Sequence, residues 1–407
     1  MRLTVQSHTI VLATAATLLT TIATIGCARH SKDSFDWKPE QIAKLKCDSA
    51  KIMEADTTDL TRVDASGIVS NSIFSFADIV RDLRFIPLET TEDSRIGKIA
   101  RLSFTNTHII ASDERGVHVF DMAGHHIGNI PFGKKSERND YTIDRASNEI
   151  LVYTQGSVGH YGMNCQRRSV ELIPLQFSAM TATDSGNTMA ILLDDCDENS
   201  HIGKLQSAPY VVMDRTGSLT NRIGQKERNG NSDEHRPPRE GMPLPLSDEG
   251  IVISHSLCDT IYTLSDNGLR ANYAISYGET LNPLEHKEGI SQDLNYIFAG
   301  NALVTHSAFF FKIQNARAKT IYGFYDKRTG RLAGGIPAFD YRQMPPIYNP
   351  IATQGEYFAA TFNTYLTEDD NRFNFLGDYI PEQEKRKLAR VTHDSNPVVA
   401  LYRISVE

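Results

Sequence analysis

Between Ser70 and Val406 the apolar residues fall in short runs rich in Val, Ile, Tyr and Phe, punctuated by Gly, Asn and Asp. Runs of this length and type predict β-strands, and the punctuation predicts tight turns. One phrase recurs: an aromatic-aliphatic run, an Asp, a Gly shortly after it, then further apolar residues. It reads Val117-His118-Val119-Phe120-Asp121 with Gly124, then Tyr210-Val211-Val212-Met213-Asp214 with Gly217. It returns as Ile261-Tyr262-Thr263-Leu264-Ser265-Asp266 with Gly268, and as Tyr322-Gly323-Phe324-Tyr325-Asp326 with Gly330. The phrase is a hairpin in chemical terms. Asp caps the turn through its side chain, Gly supplies the positive φ at the tip, and the flanking alternation predicts one buried face.

The aspartates are 93, 52 and 60 residues apart. The first interval holds a degenerate unit, with Glu149–Tyr153, Gly162 and Val170–Ile173 in the corresponding places. Pro397–Ile404 supplies a last one. Six units of about 56 residues suit four-stranded blades joined by loops. The expected fold is all-β: a six-bladed β-propeller of four-stranded antiparallel blades over residues 70–407. A short helix is inserted in the last blade, where Pro381 occupies a first helical position ahead of Glu382–Arg390. Phe76–Arg81 is a weaker helical stretch. A pair of β-sandwiches gives no reason for the recurring phrase, and an α/β enzyme needs long alternating helices. A propeller must also join its ends or leave sheet edges open. Either Asn71–Phe74 or Leu83–Leu88 is expected to complete the sheet that contains Val398–Ile404.

The N-terminus has a different pattern. Arg2 is followed by an apolar stretch from Ile10 to Ile25 and then Gly26-Cys27. A charged start, a short apolar stretch and small residues at its end predict a secretory signal over residues 1–26. The stretch is short for a bilayer span of about 20 apolar residues. Thr24-Ile25-Gly26-Cys27 resembles a bacterial lipobox, with Thr24 where that pattern prefers Leu. Cys27 is therefore the expected lipidation site, and acyl chains of about 0.8 kcal/mol per buried methylene would hold the chain on a membrane. Residues 27–69 read as the lipidated N-terminus and a polar tether.

Composition narrows the partners. Apolar residues make up 40% and charged residues 23% of 407 residues, enough for a sizeable core. A net charge of −8 with no basic stripe excludes a nucleic-acid partner. None of the five cysteines forms a C-x2-C pair, so no zinc ribbon is expected. Cys47, Cys165, Cys196 and Cys258 read as buried small apolar residues more readily than as bridges.

Phe85-Ile86-Pro87-Leu88-Glu89-Thr90-Thr91-Glu92, with Ile96-Gly97-Lys98-Ile99 and the lipobox, resembles the opening of the 6-bladed β-propeller lipoproteins of Bacteroidota. Asp394-Ser395-Asn396-Pro397-Val398-Val399-Ala400-Leu401-Tyr402 is similar to that family's close. Gly133–Tyr141 departs from the family's glycine-rich stretch. The resemblance implies an NHL-like propeller lipid-anchored on the cell envelope, at the outer membrane with a periplasmic or surface face, most of whose relatives have no assigned activity.

No G-x-S-x-G, H-E-x-x-H or phosphate loop stands in its required context. Asp195-x-Asp197-x-Asn199 imitates the start of a calcium loop, but Ser200 and Gln206 replace the Gly and Glu it needs. His108, His118, His125, His126, His255 and His306 are scattered and point to no metal site. The basic loop 224–239 and the aromatics Tyr341, Tyr348, Tyr357, Phe358, Phe362, Tyr365, Phe373 and Phe375 are the remaining ligand-binding features, the latter claimed mostly by blade cores. The sequence therefore predicts no cofactor and no catalytic residue. It predicts an envelope lipoprotein that binds a glycan, a peptide or a partner protein, the competing class being a carbohydrate-active lyase or hydrolase with axial residues.

Overall fold

The computed structural model describes residues 37–69, 73–133, 139–154, 156–193, 197–224, 244–254, 259–276, 296–298, 300, 302–315, 319–338, 344–363 and 379–407. The residues from Glu40 onward form one compact unit. Cys27, Cys196, Cys258, His255, Tyr341, Tyr365, Phe373 and Phe375 lie outside the described residues.

Six antiparallel sheets follow one another along the chain as the blades of a propeller, as the repeat predicts. Blade 1 comprises Arg101–Phe104, His108–Ser112, Gly116–Asp121 and His126–Pro131; blade 2 comprises Asp140–Asp144, Glu149–Thr154, Ser157–Gly162 and Arg167–Leu172. Blade 3 is built from Phe177–Ala182, Thr188–Leu193, Tyr210–Asp214 and Ser218–Ile223, and blade 4 from Leu246–Ser247, Gly250–Ser254, Thr260–Ser265 and Gly268–Ser276. In blade 5, Tyr296–Phe298 and Leu303–Val304 both pair with Ala308–Asn315, followed by Thr320–Asp326 and Arg331–Ala338. Blade 6 takes Ala352–Gln354, Tyr357–Phe362 and Val398–Ile404 from the end of the chain and Val80–Pro87 from its beginning.

The recurring phrase is the hairpin between the third and fourth strands. Asp121 accepts the Ala123 and His125 amides, and Asp214 accepts those of Thr216 and Ser218. Asp326 accepts the Arg328 amide. In blade 4 the cap is instead Ser265, which accepts the Asn267 amide, and Asp266 reaches Thr183 and Ser185 of blade 3. Gly124 shows why the tip needs glycine. Its φ is 92°, and a Cβ there would run into the Pro87 carbonyl oxygen of blade 6.

The expected one-sided burial gives way to burial on both faces. Six apolar clusters form among the described residues, each filling the space between two neighbouring blades. Within Gly116–Asp121, Val117 and Val119 pack toward blade 2 while Phe120 packs toward blade 6. Stacking blades leaves a central strand no solvent face, so its middle residues are apolar throughout.

The ring is closed by Val80–Pro87, which pairs antiparallel with Val398–Ile404 from Val398↔Pro87 to Ile404↔Val80. Of the two segments expected there, the one around Leu83–Leu88 takes the place. Ile73–Ser75 pairs instead with the outer strand of blade 5, in parallel. The same parallel mode covers blade 3 with Lys46–Ile52, and blade 4 with Ala55–Asp56 and Thr61–Asp64. From Lys46 onward the polar segment before the first blade is thus a belt laid along three outer edges.

The late helix runs over Glu382–Leu388 and a single turn over Phe76–Ile79. Two cysteine expectations fail. Cys47 is exposed on the belt, and Cys165 is half-buried at the blade 2 hairpin tip, where its φ is 64°. Cys165 still packs against the apolar cluster between blades 1 and 2.

Candidate functional site

The meander of a four-stranded blade places the connections between strands 1 and 2 and strands 3 and 4 on one face of the ring. The connections between strands 2 and 3, and between successive blades, leave from the other. On the first face the connections, such as 105–107, 122–125, 183–187 and 215–217, have two to five residues. All the long connections, 88–100, 194–209, 224–245, 277–295, 339–351 and 363–397, leave from the second face. All but 88–100, which leads from blade 6 into blade 1, belong to blades 3 to 6, whereas blades 1 and 2 contribute 113–115 and 155–156 within the blade. Variable loops on a rigid scaffold are where binding residues concentrate.

A cavity of about 40 Å³ is lined by residues that include Arg101, Ser103, Thr142, Thr181, Leu244 and Thr353. That is room for a water molecule and not for a sugar ring. Arg101 and Asp140 stand at the loop-bearing ends of the innermost strands of blades 1 and 2, their side chains 9% and 10% exposed. The guanidinium donates to Asp140 Oδ2 at 2.6 Å, to the Met180 carbonyl at 3.2 Å and to Thr181 Oγ1 at 2.8 Å. Asp140 Oδ2 also accepts the Met180 amide, and Thr181 Oγ1 donates to the Leu244 carbonyl. This network ties blades 1, 2 and 3 to the entry of blade 4.

Burial pushes the Asp140 carboxyl upward, opposed by the charge and hydrogen bond of Arg101. Burial likewise raises the neighbouring Tyr141 phenol, which lies under the Arg101 guanidinium and donates to the Ile110 carbonyl. A tyrosine, an arginine and a carboxylate do meet at the axis, the combination an axial enzyme would use. Here their polar atoms are spent on one another and on backbone, which is the arrangement of a brace.

A second cluster sits where blade 1 turns toward the loop-bearing face. Asp113, buried, accepts the Gly97, Arg115 and Gly116 amides, the Arg115 side chain and His118 Nε2. Burial raises its carboxyl, but these hydrogen bonds more than offset that and hold it well below the usual carboxylate range. In blade 5, Lys312 stands opposite Tyr322, and burial lowers its ammonium. Neither the brace nor these groups carries a sequence signature; each is an ordinary charged residue in an ordinary strand pattern.

The sequence candidates disperse. Asn199 is buried and bonds the Gln176 amide and carbonyl, so it holds a loop to blade 3; Asp195 lies outside the described residues. His125 caps Asp121 on the short-loop face, His126 meets Asn129, His108 meets Thr107 and His306 is exposed. Among the described residues no group of His, Cys, Asp and Glu is arranged to hold a metal ion. Of the late aromatics, Phe358 and Phe362 are core residues, Tyr348 packs edge-on against Tyr322, and Tyr357 lies under Arg84 and Arg403. Most of the loop 224–239 lies outside the described residues.

One solved structure agrees with this architecture. A Bacteroides fragilis protein described as a "putative exported protein" superposes with a TM-score of 0.63 at 14% identity, over 85% of this chain and 100% of that one. The extracellular domain of a hybrid two-component system protein from B. thetaiotaomicron gives 0.34 at 10% identity, over 61% of this chain and 28% of that one. A Bacteroides caccae protein of unknown function gives 0.33 at 12%, over 58% and 79%. At 14% identity the first shows a shared fold and no more. No curated protein matches the chain. A family model described as "Domain of unknown function (DUF4934)" matches residues 60–403.

Proposed function

This chain belongs to the DUF4934 family, and we propose that it is a binding or scaffolding propeller of the bacterial envelope, anchored through Cys27, that takes its ligand on the loop-bearing face. The observation that carries the reading is the asymmetry of the ring. Every long connection leaves from one face, and below it the Arg101–Asp140 brace ties the innermost strands together beside a cavity of about 40 Å³. A ligand therefore rests on the mouth and does not enter a channel. The exported description of the Bacteroides fragilis relative supports the envelope address. Among the described residues no helix is long and apolar enough to cross a membrane; the anchor at Cys27 rests on the lipobox-like Thr24-Ile25-Gly26-Cys27.

The chain from residue 28 onward, immobilised over a glycan and peptide array, is expected to retain one ligand class unchanged. Hydroxyl-radical footprinting of that complex should protect Tyr348, on the loop-bearing face, and leave His125 reactive. Turnover of the retained glycan would establish the lyase or hydrolase reading, and protection at His125 would move the site to the other face. For the anchor, Cys27→Ser is expected to shift the protein from the membrane pellet to the soluble fraction. A variant that still pellets with the envelope contradicts lipidation.

A further inference from the structure

Each blade ends in an outer strand whose free edge is a template for pairing, and folded proteins blunt such edges. Five of the six edges are blunted here. The belt covers blades 3, 4 and 5. On blade 6 the late helix takes over: Glu384 accepts the Phe85 amide at 2.6 Å and Lys387 donates to the Phe85 carbonyl at 3.2 Å. On blade 1, Glu89 accepts the His126 amide at 2.7 Å, Asn129 is tied to the Asp93 carbonyl, and the strand ends at Pro131. Blade 2 is different. Its outer strand Arg167–Leu172 pairs only with Ser157–Gly162, and no backbone group on its outer side has a partner among the described residues. Arg167 through Glu171 are all exposed, and Val170 is 56% exposed.

We propose that Arg167–Leu172 takes an extended acidic segment of a partner polypeptide, added in parallel as a fifth strand of blade 2. The mode is displayed by four strands on three blades, always in parallel. Blade 2 is the next edge in line, because the belt begins on blade 3 at Lys46. The bulge at Arg168 does not bar pairing. Corresponding bulges at Thr220 and Asn272 interrupt the outer strands of blades 3 and 4, and the belt pairs on either side of both.

The strand's charges select the occupant. Glu171 is answered by His160 at 3.8 Å, and Arg168 by Glu149 at 2.8 Å. Arg167 is exposed and has no acidic partner among the described residues. An acidic side chain beside Arg167 and an apolar one beside Val170 complete the edge. Main-chain hydrogen bonds then supply the affinity and these two positions the selectivity. This surface lies on the rim and does not depend on what the mouth binds.

The test uses the chain from residue 28 onward and two synthetic heptapeptides of serine and threonine, one carrying a glutamate and a valine two positions apart and the other a lysine and a valine two positions apart. The glutamate peptide at ten times its Kd should slow amide hydrogen exchange over residues 167–172 about tenfold. Arg167→Glu should weaken that peptide about fivefold at low salt and favour the lysine peptide. Val170→Lys, which sets a charge in the middle of the edge, should abolish protection. Both substitutions are at exposed positions, and an unchanged melting curve confirms the fold. Exchange that neither peptide slows, or both slow equally whatever the charge at 167, overturns the proposal. So does slow exchange before any peptide is added: dependence on protein concentration identifies a second copy as the occupant, and independence a segment of the same chain.

Discussion

A chain ending at Pro397 is expected to lose its cooperative melting transition altogether, as read by circular dichroism. The missing residues include Val398–Ile404, the third strand of blade 6, which pairs with Tyr357–Phe362 on one side and with Val80–Pro87 on the other. Removing it takes away six buried apolar side chains, Val398, Val399, Ala400, Leu401, Tyr402 and Ile404. At roughly 1.5–3 kcal/mol for a fully buried large side chain, the loss rivals the 5–15 kcal/mol that holds an ordinary domain folded. It also strands Val80–Pro87, the only N-terminal strand built into a blade ladder of the last sheet, so that the ring opens between blades 6 and 1. The tail beyond has its own contacts, since the Val406 amide donates to the buried Asp326 and Thr329 donates to the Val406 carbonyl. Tyr402→Phe provides the graded control. It removes one hydrogen bond to the Ile347 carbonyl and should cost about 1 kcal/mol while leaving the transition cooperative. A truncated chain that melts cooperatively would show that the ring does not need this closure.

The closure also brings together Glu89–Ile96 and Asp394–Pro397, two of the stretches in which the sequence resembles the propeller lipoproteins. Asn396 is buried where the two ends meet. Its side chain donates to the Glu89 and Ser94 carbonyls and accepts the Ile96 amide, while its own amide is received by Thr90. The segments Glu89–Ile96 and Asp394–Pro397 thus form one joint, and each side restricts what the other can be.

What was legible in the sequence is what local chemistry dictates. Asp121, Asp214 and Asp326 cap hairpins within four residues of themselves, so their repetition discloses the blade and its number. The helix at Glu382–Leu388 is likewise announced by Pro381 and good helix formers. The belt is not legible, because Lys46–Ile52 and Thr61–Asp64 lie at the rim with one side toward solvent. Their polar residues resemble a tether, and their pairing is with strands far along the chain. Burial on both faces hid in the same way: nothing local separates a strand stacked between blades from one facing water. The open edge of blade 2 becomes visible only once the other five edges are seen to be covered. The axial brace depends on three blades at once, and Arg101 and Asp140 each look like a charge that opens a strand.

That brace carries the other large expected effect. Asp140→Ala should destabilise the protein by about 3–5 kcal/mol, because it leaves the Arg101 guanidinium buried without its counter-charge. The Met180 amide loses its acceptor as well. The double replacement Arg101→Met with Asp140→Leu should recover most of the loss, since apolar side chains of similar size often replace a buried ion pair without penalty. Recovery should stop short of completeness, because Thr181 and the Met180 carbonyl keep polar atoms that Arg101 had satisfied. Denaturant unfolding of the three proteins decides the matter. A cost below about 1 kcal/mol for Asp140→Ala would mean that water already shares the guanidinium, as in an exposed pair. The double variant also separates the brace from the mouth. If the axis only stiffens the ring, the folded double variant retains the ligand found on the array, and if Arg101 and Asp140 touch that ligand, retention is lost although the fold survives.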